Sequence, residues 1–173
     1  MRLIALAALT VFASALTPSL GASPQTTFTS ERYGYSLELS TQWSVLEMPG
    51  TWDGALGDGI PGTDHLANLS LQIRGLVAAR SAGTMSLRAW RRKLDRALPG
   101  GCLPKGKVTR STIAGSPALM RRFRCYDGYS GRQFALLHKG RAFAIGSVWP
   151  TGKGEKRSGA AFAQLLTTFQ FTS

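Results

Sequence analysis

Along this chain the apolar residues fall into short alternating runs and two helical stripes. Tyr33, Tyr35, Leu37 and Leu39 alternate with polar or small neighbours, so residues 33–39 read as a strand with one buried face. The turn Ser40-Thr41-Gln42 separates it from a second expected strand, residues 43–48. Residues 49–64 hold five glycines and two prolines and read as a loop, of a length that ordinarily has a functional or ordering reason. Residues 66–75 read as the next strand, with Leu69, Leu71 and Ile73 on one face. Residues 86–98 are helical by the stripe Leu87, Trp90, Leu94 and Ala97 or Leu98. Thr84 or Ser86 can cap its start, because a hydroxyl accepts a free backbone N–H, and Pro99-Gly100-Gly101 stops it. Four strand-like runs follow, at 107–113, 118–126, 132–139 and 142–149. Their breaks are Gly115-Ser116-Pro117, Gly128 to Gly131 and Lys139-Gly140-Arg141; the last two read as hairpin turns. Residues 155–168 form a second helix, with Phe162, Leu165, Leu166 and Phe169 spaced at i, i+3, i+4 and i+7. No internal repeat is present.

Consecutive strands joined by short turns predict an antiparallel sheet. Two helices with one apolar face each must pack on it. The expected class is therefore α+β, an antiparallel sheet packed by two amphipathic helices.

The first 22 residues stand apart. Arg2 is followed by an apolar run from Leu3 to Leu16, broken only by Thr10 and Ser14. Thr17-Pro18 ends it, and Leu20-Gly21-Ala22 offers small residues for cleavage. The run is shorter than the roughly 20 residues of a spanning helix. It reads as a signal peptide cleaved after Ala22, with an uncleaved anchor as the alternative. No cysteine lies near the cleavage position, which argues against a lipoprotein. The expected organisation is a signal peptide at 1–22, a polar linker at 23–27 and one domain at 28–173, exported to a periplasm or the extracellular space. The full length of 173 residues suits a single domain, and 43% hydrophobic against 17% charged residues excludes both a disordered chain and a multi-span membrane protein.

Cys102 and Cys125 are the only cysteines. In an oxidising compartment they are expected to bridge; two buried free thiols are the alternative. Each lies beside a turn and neither belongs to a C-x-x-C motif, so a bond between them is structural.

Tyr33-Gly34-Tyr35-Ser36-Leu37-Glu38-Leu39, with Trp43 four residues later, resembles the opening of the PsbP/Mog-like superfamily. Gly115-Ser116-Pro117-Ala118 resembles its recurring G-x-P-A turn, and Thr168-Phe169-Gln170-Phe171 its closing S/T-F strand. The resemblance covers about residues 28–171 and departs at Ser40, where a proline is usual. It implies an α+β sandwich, and it implies a binding or accessory role, since relatives include extrinsic photosystem subunits, a Ran-binding factor and secreted bacterial proteins.

Charge is unevenly distributed. Lys plus Arg total 21 and Asp plus Glu total 9, a net charge of +12. Residues 23–79 carry two basic and six acidic side chains, whereas residues 80–173 carry 18 basic and three acidic ones. Fifteen of the basic residues are arginine, whose guanidinium binds carboxylate or phosphate through paired hydrogen bonds. Arg88, Arg92 and Arg96 share one helical face with Arg91 beside it, and Arg121, Arg122 and Arg124 crowd one strand. If these groups converge they form a surface for a polyanion: nucleic acid, anionic lipid headgroups or an acidic envelope polymer. If they do not, they are solvated faces of an arginine-rich chain. Nucleic acid is the least favoured, because only Phe123 and Tyr126 interleave with the arginines as stacking platforms.

Other candidate chemistry is thinner. Asp53, Asp58 and Asp64 are hard oxygen ligands on a glycine-rich loop, but their spacing matches no EF-hand, and no metal is assigned. Trp52, beside Asp53 and near His65, is a candidate contact for a ligand or partner. His65 and His138 raise a hydrolase reading, yet no G-x-S-x-G elbow is present and His138 reads as an exposed strand end. Asn68-Leu69-Ser70 matches a glycosylation sequon inside an expected strand. The expectation is an exported, non-enzymatic accessory or binding protein without a cofactor and with a protein or polyanionic partner. A polyanion-binding envelope protein and a secreted hydrolase are the alternatives.

Overall fold

A computed structural model describes residues 25–46, 63–98 and 100–172. The expected signal peptide, the end of the expected second strand, and Trp52, Asp53 and Asp58 lie outside these residues.

Among the described residues ten strands and two helices follow the predicted order of strands, helix, strands, helix, with a short strand after the second helix. The strands are β1 (Gln25–Ser30), β2 (Tyr35–Ser40), β3 (Ser44–Leu46), β4 (Asp64–Asn68), β5 (Ile73–Ser81), β6 (Cys102–Ile113), β7 (Ser116–Cys125), β8 (Tyr129–His138), β9 (Arg141–Pro150) and β10 (Gln170–Phe171). Helix α1 (Leu87–Arg96) falls between β5 and β6, and α2 (Glu155–Thr167) between β9 and β10. Seven strands form one antiparallel sheet in the order β3-β4-β5-β9-β8-β7-β6; the other three form a small sheet in the order β1-β2-β10. Two tight turns fix the register of the large sheet. Ala114 (φ 46°) with Gly115 (φ 75°), and Lys139 (φ 43°) with Gly140 (φ 73°), hold the paired left-handed conformations of two-residue hairpins.

The two faces of the large sheet are buried differently. On one face α2 and the small sheet enclose Tyr35, Leu37, Phe134, Leu136, Phe143, Ile145, Phe162 and Phe169. On the other, α1 sets Trp90 and Leu94 against Ala78, Ala135, Ala142 and Ala144. The alanines are what let the indole approach the sheet, and Trp90 Nε1 donates to the Phe143 carbonyl at 2.7 Å. Ser86 rather than Thr84 is the cap, its Oγ accepting from Ala89 N–H at 3.2 Å.

Three expectations need correction. The strand expected at 66–75 is two strands. Asn68 Oδ1 accepts from Leu71 N–H, a 3-10 turn forms at Leu69–Leu71, and Gln72 (φ 53°) reverses the chain into β5. Leu69 therefore faces solvent instead of sharing a face with Ile73, and Asn68, fully buried, is not a glycan acceptor. The linker expected at 23–27 is already strand by Gln25, because Gln25–Thr27 pair with Glu38–Ser40 of β2. The strand expected to begin at 107 begins at Cys102; a bulge between Lys105 and Thr109, with Gly106 at φ 71°, disguises its alternation.

Cys102 and Cys125 are directly opposite on β6 and β7 and are bonded. The bond closes a loop with a sequence separation of 23, worth about 3 kcal/mol through the unfolded state.

Candidate functional site

Helix α1 lies across β7 and β8, and the space beside it is lined by arginine. A cavity of about 360 Å³ is bounded by Arg88, Arg91, Arg92 and Asp95 of α1, Val108 and Arg110 of β6, and Leu119 and Arg121 of β7. The spacing of α1 explains half of this set: Arg88, Arg91, Arg92 and Asp95 fall at i, i+3, i+4 and i+7, along one side of the helix. The Ala114-Gly115 turn explains the other half. It pairs Ile113 with Ser116, hence Arg110 with Leu119, and so brings Arg110 and Arg121 to the same sheet face.

The single carboxylate organises the floor. Asp95 accepts from Arg91 at 3.0 Å and from Arg121 at 3.3 Å. Arg91 is only 2% exposed. It donates to the backbone carbonyl of Gln133 at 3.0 Å and to the Gln133 side-chain oxygen. Burial pulls its guanidinium down to about 10, against the attraction of Asp95, and it stays charged at neutral pH. Arg121 also donates to the Gly106 carbonyl at the β6 bulge. Arg88, Arg92 and Arg110 are exposed and have no ion-pair partner among the described residues. Five guanidinium groups thus face one carboxylate, above an apolar patch of Val108 and Leu119.

The arginines expected to share one basic surface are brought together only in part. Arg88, Arg92 and Arg121 share the cavity, whereas Arg96, in the last turn of α1, lies outside its lining. Arg91 is a buried structural cation rather than a surface one. Arg122 is directly opposite Arg132 of β8, on the sheet face that carries α2; strand alternation sends it away from Arg121. Arg124 follows Arg122 to that face. Arg110 was not singled out from the sequence, although counting back from the Gly115 hairpin pairs it with Leu119.

The remaining candidates are dispersed. Asp64 accepts from the Tyr35 hydroxyl at 2.8 Å, so it is committed to the core side of β4. Tyr35 is stacked on Phe169, and burial followed by the Asp64 charge raises its pKa far above the usual phenol range. His65 is half-buried, paired with Leu46 and Leu76 on the neighbouring strands. His138 is not an exposed strand end. Its ring is stacked on Phe171 with centroids 3.6 Å apart, and its Nδ1 is 3.0 Å from Ser116 Oγ. Its Nε2 has no hydrogen-bond partner among the described residues, so no carboxylate orients the ring as a triad requires. Among the described residues no three His, Cys, Asp or Glu side chains cluster as metal ligands, and no helix is long and apolar enough to cross a membrane.

The two histidines set a pH dependence. Burial pulls both His65 and His138 below the ordinary value of about 6.5; Asp64 partly offsets this for His65, and Lys139 reinforces it for His138. The folded state then favours the neutral rings, and the unfolded chain binds protons more readily. Their contribution to stability is complete above about pH 6.5 and is lost as pH falls through the lowered values. The thermal midpoint should drop between pH 7 and pH 5, and His138→Gln should reduce the drop. A flat profile would contradict this.

No protein-family model and no curated protein matches the chain. Solved structures do. The cyanobacterial PsbP protein CyanoP of Synechocystis sp. PCC 6803 matches with a TM-score of 0.60 at 10% identity, over 90% of this chain and 96% of that one. The Ran-binding protein Mog1p of Saccharomyces cerevisiae matches with a TM-score of 0.54 at 11% identity, over 88% of this chain and 97% of that one. Identities this low carry the fold and not the partner. The chain shares the α+β fold of CyanoP and Mog1p.

Proposed function

We propose that this is an exported, non-enzymatic binding protein that holds an anionic partner against the arginine cavity beside α1. The observation that carries the reading is the imbalance in that cavity, five guanidinium groups against Asp95 alone. Asp95 is already shared by Arg91 and Arg121. Arg88, Arg92 and Arg110 are left to solvent or to a partner, and three convergent, unpaired guanidinium groups concentrate anions from solution. Val108 and Leu119 add an apolar contact for the body of the partner. Export is supported by the apolar N-terminal run, the small residues before Ser23 and the Cys102–Cys125 bond.

The test uses heparin as a polyanion at low salt. Arg88→Glu with Arg92→Glu should weaken binding at least tenfold without unfolding the domain, because both side chains are exposed. The control reverses two exposed residues of α2, Lys156 and Arg157, and makes the same change in net charge. Equal weakening by both pairs would mean that net charge alone attracts the polymer, and the proposal would fail.

A further inference from the structure

The opposite face of the same sheet carries a second arrangement of cations, independent of the cavity beside α1. The register of β6, β7, β8 and β9 lines up two adjacent rows across the four strands. One row is Lys105, Arg122, Arg132 and Ser147; the other is Leu103, Arg124, Ser130 and Trp149. Each neighbour in a row is a direct cross-strand partner, so the side chains share one face, the face on which α2 packs.

Two features of this grid are unfavourable for the protein alone. First, Lys105, Arg122 and Arg132 are three like charges directly opposite one another on adjacent strands, an arrangement that destabilises a sheet. Arg124 adds a fourth in the next row. Lys105, Arg122 and Arg124 have no ion-pair partner among the described residues. Arg132 donates to the Gly159 carbonyl at 3.2 Å and lies over the Trp149 ring, 5.8 Å from its centroid. Second, the Ser130 hydroxyl, the Ser147 hydroxyl and Trp149 Nε1 are all buried without a hydrogen-bond partner, on residues no more than 3% exposed. A buried donor left unmade is costly, and three sit together at the β8–β9 end of the grid. Four cations beside three unsatisfied donors have one simple complement, a group rich in acceptor oxygens and negative charge.

We propose that this grid is an oxyanion site that binds a phosphate-type group. Arg122 and Arg132 flank the anion, Arg124 and Lys105 add field, and the Trp149 indole N–H with the Ser130 and Ser147 hydroxyls supply neutral donors behind them. A phosphate fits better than a carboxylate, because its oxygens accept from several donors at once and a divalent charge answers a cluster of cations. Arg132 reaches the donors first: its guanidinium lies over the Trp149 ring, and ligand binding exchanges part of that contact for the anion. The phosphate is carried by a soluble ester or by a lipid headgroup, which share this chemistry.

The Trp149 indole N–H reports on the site directly. Its signal is assigned by Trp149→Phe in a ¹H–¹⁵N spectrum of the whole protein. Titration with inorganic phosphate, and separately with vesicles containing phosphatidylglycerol, is expected to move or broaden that signal saturably. Response to phosphate alone points to a soluble source, and response to vesicles alone to a membrane. The Trp90 signal, whose N–H is held by the Phe143 carbonyl under α1, should stay in place. Arg122→Gln with Arg124→Gln should weaken the response at least tenfold, whereas Arg88→Gln with Arg92→Gln should leave it unchanged. No response to either probe, or the same response in the Arg122/Arg124 variant as in the parent, would overturn the proposal. Loss in the Arg88/Arg92 variant would overturn it too, because the signal would then come from the cavity beside α1.

Discussion

Trp90→Ala should destabilise the domain by about 3–5 kcal/mol, the range for emptying a large buried aromatic. That is a large share of the 5–15 kcal/mol typical of a folded domain. The ring is 1% exposed and packs against Ala78, Ala135, Ala142 and Ala144. None of these alanines can reach into the space the indole leaves, so the cavity persists. The same substitution removes the N–H that donates to the Phe143 carbonyl. It also loosens α1, whose other fully buried apolar anchor is Leu94, and with it the helix that presents Arg88, Arg91 and Arg92. Equilibrium urea unfolding measures the loss; Trp90→Phe, which keeps most of the packing, should cost markedly less. Equal midpoints for parent and alanine variant would show that α1 is not anchored as described.

Gly131→Ala should be nearly as damaging, with a cost of about 3 kcal/mol at the upper end for overpacking. A Cβ at Gly131 would lie 2.3 Å from Phe123 Cζ and 2.3 Å from the Ser147 carbonyl oxygen. The phenyl ring could turn away, but the carbonyl belongs to β9 and moves only if the strand moves. Phe123 fills the place opposite the missing side chain, on the α1 side of the sheet. Gly128 makes the contrast: it has open space around its missing Cβ but holds φ at 84°, so its alanine variant is strained by conformation rather than by contact. Thermal melting of the Gly131 variant checks the point, and a midpoint within a degree of the parent would refute it.

Much of this fold could be read from periodicity because most elements bury one face. Leu87, Trp90 and Leu94 mark α1 because that apolar stripe packs on the sheet, and Tyr35, Leu37 and Leu39 mark β2 because they bury one face of the strand. The second half of β5 was hidden. Gly75 to Ala79 is buried on both faces, under α1 on one side and beneath α2 on the other, so it shows no alternation to count. The turn between β4 and β5 was hidden differently, since Asn68 reads as a strand residue until its side chain is seen to cap Leu71.

The candidate site was legible in composition and only partly in placement. Arginine density after Ala79 is plain in the sequence, but a charge near the middle of a helix reads as solvent-facing. Nothing in the residues around Arg91 announces that Gln133, 42 positions later, will receive it. The separation of Arg121 from Arg122 was available from strand alternation. The grouping of Ser130, Ser147 and Trp149 was not, because it exists only through the pairing of β8 with β9.

The most direct test of the arginine cavity as a binding site is the salt dependence of affinity for a duplex DNA oligonucleotide, used as a polyanion of known charge density. Each arginine that neutralises a phosphate contributes roughly 0.9 to the slope of log affinity against log salt. Arg88→Gln, Arg92→Gln and Arg110→Gln together should make that slope shallower by roughly 2–3 while leaving the thermal midpoint unchanged. An unaltered slope in the triple variant would mean that these three arginines do not meet the anion, and the cavity beside α1 would not be the binding site.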